Sequence, residues 1–138
     1  MRLALLLCAG LSVTACSLTT DAATRLAQDV VDGAVSLQAS GDEERTVEHR
    51  PRSWPAGCSG AWTVTFQESL HHPQSGGSLL IGCKGTPNFA RLGYTYGTTS
   101  HLHAVRVPST LSIEKDRDAV LRVTLRKSAG TIEVAAIQ

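Results

Sequence analysis

The sequence predicts an α+β domain, with an N-terminal amphipathic helix followed by a mainly antiparallel β-meander that curls into a small barrel or sandwich carrying one disulfide. Three observations predict it. Apolar residues recur every three or four positions between Asp21 and Ser40. Short stretches of alternating apolar and polar residues then follow one another from Trp62 to Val134, with turn residues between them. Two cysteines, Cys58 and Cys83, sit just before the first of those stretches and at the end of the second.

The helix is carried by Ala23, Leu26, Ala27, Val30, Val31, Ala34 and Leu37, which fall on one face of a 3.6-residue repeat. Thr20 or Asp21 is placed to cap its start, and Gly41 to end it in the left-handed conformation. Gly33 inside it costs about 1 kcal/mol relative to alanine, so it either permits close packing or weakens the helix. The stripe is expected to dock onto a sheet. The alternative, lying on a membrane, is opposed by the absence of Lys and the scarcity of Arg on the polar face. Residues 41–57 are polar, contain Pro51 and Pro55, and read as a loop, with the charges of Asp42 to Arg45 solvated.

Strand signals begin with Trp62, Val64 and Phe66 alternating with Thr63, Thr65 and Gln67. Pro73 to Gly77 is turn chemistry. Leu79, Ile81 and Cys83 share one face of the second strand. Phe89 to Tyr96, His101 to Val107 and Leu111 to Lys115 make three more. Asp116-Arg117-Asp118 turns into Leu121, Val123 and Leu125, and Ala129-Gly130 turns into Ile132 and Val134. Cys58 and Cys83 are an even pair, expected to be disulfide-bonded in an exported domain. Closing that loop of roughly 25 residues is worth about 3.5 kcal/mol by chain entropy.

The N-terminus has the layout of a secretory signal peptide: Arg2, an apolar run from Leu3 to Val13, then small residues. The run is shorter than the roughly 20 residues of a membrane span. Its end, Val13-Thr14-Ala15-Cys16, resembles the bacterial lipobox. That resemblance implies diacylglyceryl transfer to the Cys16 thiol, cleavage before it, and acylation of the new amino group. Residues 1–15 are then a lipoprotein signal peptide, 16–20 a lipidated tether, and 21–138 one periplasmic domain. Ser17 stands where an aspartate would favour inner-membrane retention in such lipoproteins. The expected location is therefore the outer membrane, facing the periplasm.

Composition bounds the chemistry. With 42% hydrophobic and 18% charged residues, a core can form, and at 4% aromatic it must be mainly aliphatic. Of 13 Lys and Arg, Arg2 lies in the leader, which leaves 12 against 12 Asp and Glu. A neutral domain lacks the basic footprint of a nucleic-acid binder, so no nucleic-acid partner is expected.

No common catalytic motif occurs, since Gly57-Cys58-Ser59-Gly60 breaks the spacing of a nucleophile elbow. There is no H-E-x-x-H and no phosphate-binding glycine loop. Glu68 and His71 have E-x-x-H spacing at a strand end, where the two do not share a face. His101 and His103 fall two apart on a strand, pointing the same way about 6.5–7 Å apart. With a third ligand from His49, His71 or His72 they could hold zinc. No third ligand is in register, so no metal and no cofactor is expected. The stretch of Tyr94, Tyr96, His101 and His103 is instead a candidate partner surface.

The combination of lipobox, small antiparallel barrel and disulfide is similar to that of small periplasmic inhibitor lipoproteins, such as those that block lysozymes. The likeness is one of architecture, which does not specify function. The expectation is a non-catalytic binding, inhibitor or immunity module, held to the bilayer through lipidated Cys16 and acting on a protein partner in the envelope. A structural or assembly lipoprotein ranks second, and a histidine-based metal-binding protein third.

Overall fold

The apolar stripe does form a helix, and that helix starts earlier than its spacing suggests. In the computed structural model, which describes residues 13–50, 60–68, 77–83, 98–102 and 105–138, helix α1 spans Val13–Ala39. It runs through residues 16–20, and neither Thr20 nor Asp21 caps it. Nothing between Val13 and Thr20 is Gly or Pro, so helical hydrogen bonding propagates without a break.

Its C-terminus also departs from expectation. Gly41 does not adopt a positive φ. The last carbonyls are satisfied another way, because the Ser40 N–H and Oγ–H both donate to Leu37 O, at 3.0 and 2.9 Å. Lys127 Nζ donates to Ser40 O at 2.7 Å, setting a positive charge at the negative end of the helix dipole.

Among the described residues seven strands follow: β1 Glu44–His49, β2 Trp62–Gln67, β3 Ser78–Cys83, β4 Thr98–His101, β5 Leu111–Lys115, β6 Leu121–Ser128 and β7 Thr131–Ile137. Strand β1 lies inside the stretch read as a loop. The expected strand from Phe89 to Tyr96 lies outside the described residues. The stretch His101 to Val107 is not one strand, because β4 ends at His101, Leu102 is outside it, and among the described residues that follow only Arg106 forms a further, isolated bridge.

All pairs between named strands are antiparallel, and they form two sheets, ordered β1-β6-β7 and β4-β3-β2-β5. Among the described residues the protein is thus mainly β with one packed helix, an α+β fold. It is not a plain meander, since β1 joins β6 and β5 joins β2. Gly77 explains the second departure. Its carbonyl accepts from Leu102 N at 3.1 Å, and a Cβ there would stand 2.5 Å from Val107 Cγ2. The chain leaving β4 passes close to the start of β3 before re-entering beside β2.

Arg106 links the two sheets. Its N–H donates to Ile132 O at 2.8 Å and its carbonyl accepts from Val134 N at 2.9 Å. The hairpin between β6 and β7 turns on Ala129 and Gly130, both at positive φ (50° and 84°), the pattern of a two-residue hairpin turn whose twist matches its strands.

Among the described residues, one apolar cluster joins α1 to both sheets. Trp62, Val64 and Phe66 of β2 and Leu121, Val123 and Leu125 of β6 are fully buried, as are Leu26, Val30 and Leu37 of α1. Each such aliphatic side chain contributes about 1.5–3 kcal/mol by leaving water. At Gly33 the helix comes close to the sheet. A Cβ there would collide with Val47 Cγ2 and come within 3.3 Å of Leu125 Cδ1. The glycine therefore serves close packing. Gly33→Ala is expected to lower stability by up to about 2 kcal/mol, because overpacking of about 1–3 kcal/mol outweighs about 1 kcal/mol gained in helix propensity. Urea denaturation checks this, with Gly41→Ala, which meets nothing within 4 Å, as a near-neutral control.

Candidate functional site

Among the described residues, one polar side chain is buried with the core: His49, 6% exposed, the last residue of β1. Its place follows from strand alternation. Arg45, Val47 and His49 form the row of β1 that faces α1, while Glu44, Thr46 and Glu48 point outward. The register sets His49 opposite Leu121. From there its Nδ1 meets Oδ2 of Asp29, on α1, at 2.7 Å. A carboxylate oxygen accepts, so Nδ1–H of the ring is the donor in this contact. Asp29 itself is 46% exposed, so the pair has one dry and one wet partner.

A carboxylate holding one nitrogen of an imidazole is also the orienting half of a nucleophilic triad. The other half is a hydroxyl or thiol on Nε2, and among the described residues none forms that bond. Here the pair ties helix to strand. Next to it, Arg50 Nη1 donates to Asp118 O at 3.3 Å, and Trp62 Nε1 donates to Asp116 O at 2.8 Å. These bonds fix the β5–β6 turn against the ends of β1 and β2.

The outward face of β1 and β6 is charged, and its charges are matched. Glu44 meets Arg126 at 2.9 Å and Glu48 meets Arg122 at 3.0 Å, both directly opposite in register. All four side chains are about half exposed, so each pair adds at most about 1 kcal/mol and serves register more than stability. Arg45 bonds Ser36 of α1 and lies 3.6 Å from Asp42. Arg106 and Glu133 pair at 2.9 Å across the link between the sheets.

The residues singled out in the sequence are distributed as follows. Cys16 lies in α1. Cys83 ends β3 opposite Trp62, which sets it beside the start of β2, four positions after Cys58 in the chain. Cys58, His71, His72, Tyr94, Tyr96 and His103 lie outside the described residues. His101 ends β4 in register with Ser78. His49, a possible third zinc ligand by sequence, has its Nδ1 on Asp29. Among the described residues no three His, Cys, Asp or Glu side chains come together for a metal ion. The His49–Asp29 pair has no sequence signal, since its partners are 20 positions apart in elements of different period.

A double-mutant cycle tests that pair. His49→Ala is expected to cost about 2 kcal/mol and Asp29→Ala about 1 kcal/mol, with a coupling of about 1 kcal/mol between them. Additivity to within about 0.3 kcal/mol in thermal or urea unfolding would show that the contact contributes nothing.

No protein-family model matches the chain, and neither a curated protein nor a solved structure matches it significantly.

Proposed function

We propose that the protein is an envelope-anchored lipoprotein acting as a non-catalytic periplasmic binding or inhibitor module. The observation that carries this reading is the leader ending in Val13-Thr14-Ala15-Cys16, whose last residues open α1 before the helix positions that enter the core, Ala23 to Leu37. Cys16 takes the lipid, and several acyl chains hold where one would bind only marginally. The domain then stands at the outer membrane, facing the periplasm.

The packing supports a binding role. A single core that unites one helix and both sheets is a firm support for loops, and binding residues concentrate on loops held that way. The stretch carrying Tyr94, Tyr96, His101 and His103, which in the chain runs through β4, an outer strand of its sheet, is assigned as the partner surface. A Cys58–Cys83 disulfide would clamp the entry of β2 to the end of β3, which the register already brings together. It would complete a small disulfide-stapled barrel or sandwich of the kind that inhibitor lipoproteins use.

The anchor and the role are tested separately. The unmodified protein is expected to incorporate a clickable fatty acid, and Cys16→Ala to lose that label and to be released or stalled in export; label persisting in the variant would contradict the anchor. The lipid-free mature domain is expected to retain one envelope hydrolase at about one-to-one stoichiometry and to inhibit it. Retention of several subunits of one envelope machine would favour an assembly role instead.

A further inference from the structure

Helix α1 and strand β1 run antiparallel, side by side. Arg45 bonds Ser36, a Cβ on Gly33 would meet Val47, and His49 bonds Asp29, so each step along the strand is a step back along the helix. The lengths agree, since Asp29 to Ser36 rises about 10 Å in a helix and Arg45 to His49 about 13 Å in a strand. The N-terminal end of α1 therefore points past one end of the sheets. That end carries His49, Arg50, the start of β6 and the β5–β6 turn at residues 116–120. It also carries Gln138, which exchanges two backbone bonds with Arg122. Trp62 Nε1, bonded to Asp116 O, brings the start of β2 to the same end. The opposite end carries Glu43, the β6–β7 turn at Ala129 and Gly130, and His101, in register with Ser78. The two ends lie about 23 Å apart along β6.

The helix also fixes where Cys16 stands. Ala23, Leu26, Val30 and Leu37 are fully buried, so α1 is held by the core from Ala23 onward. Cys16 belongs to the same helix, seven positions earlier, with no glycine or proline between. An anchor on Cys16 is thus joined to the core by unbroken helix, over a rise of about 10 Å. Nor is α1 suited to lie flat on a bilayer. Its apolar stripe is taken up by the core, and its exposed face presents Thr24, Gln28 and Asp32, with Gln28 Nε2 donating to Asp32 Oδ1 at 2.8 Å. With one arginine and no lysine in the helix, there is no basic face for anionic headgroups.

Resting on the reading of Cys16 as the lipidated residue, we infer that α1 is a rigid strut that holds the domain upright on the bilayer. The end with Arg50, Gln138 and the β5–β6 turn faces the lipid surface, and the end with His101 and the β6–β7 turn faces away. The helix caps the stand-off: from Cys16 to Asp29, level with the last residue of β1, it rises about 20 Å. The stretch assigned as the partner surface then reaches its described end, at His101, on the side open to a protein in the periplasm.

The test uses the full lipidated protein in nanodiscs of phosphatidylethanolamine and phosphatidylglycerol, with a gadolinium chelate on a fraction of the headgroups. The amide signals of Asp116 to Asp118 and of Gln138 lose most of their intensity, whereas those of Glu43, Lys127 to Gly130 and His101 keep theirs. Inserting Gly-Ser-Gly-Ser-Gly between Thr20 and Asp21 places a flexible joint ahead of the core, leaves the rest of the amide spectrum in place, and removes the difference between the two ends. Lipidated protein whose two ends are broadened alike, or a difference that survives the insertion, would overturn the strut and leave the anchor standing. Mass spectrometry showing no acyl groups on residue 16 would overturn both, so the two failures are told apart.

Discussion

The approach of α1 to β1 at Gly33 sets the spacing on which the rest of the fold depends. A side chain at that position would occupy the space of Val47 and press on Leu125. With hydrogen there instead, the helix comes close enough for Leu26, Val30 and Leu37 to enter the same apolar cluster as Trp62 and Phe66 of the opposite sheet. Among the described residues the two sheets share few backbone bonds, those of Arg106 with β7 among them. What holds them together is therefore mainly side-chain burial, and the helix supplies a large part of it.

That arrangement accounts for the polar contacts around it. A helix seated so close to β1 leaves the inner row of that strand little room for solvent, yet the row contains Arg45 and His49. Both are satisfied from the helix, Arg45 by Ser36 and His49 by Asp29. Among the described residues no buried side-chain nitrogen or oxygen is left without a partner. Lys127 does the same for the end of the helix through Ser40 O. An unpaired buried polar group costs about 1–3 kcal/mol, so these bonds remove penalties more than they add stability.

Much of this is legible in the sequence, for physical reasons that also explain the rest. The helix stripe and strands β2, β5, β6 and β7 bury a single apolar face, so their periods of 3.6 and 2 stand out. Strand β1 is not legible because two of its three inner residues are polar and are satisfied by helix residues earlier in the chain. The end of α1 departs from the expectation at Gly41 because Ser40 and Lys127 take the carbonyls that a left-handed glycine would otherwise help to satisfy. The pairing of β5 with β2 depends on how the chain passes Gly77, a tertiary matter with no local pattern. Of the candidate site, the proposed lipobox rests on a local run of residues, Val13 to Cys16, whereas the His49–Asp29 contact exists only once helix and strand have met.

Native-state hydrogen exchange tests most directly whether α1 is an integral part of the core. If it is, the slowest amides between Leu26 and Leu37 exchange only through global unfolding, with the same free energy and denaturant dependence as the slowest amides of β2 and β6. A helix that exchanges at clearly lower free energy while both sheets remain protected would show that the sheets hold without it, contradicting the account.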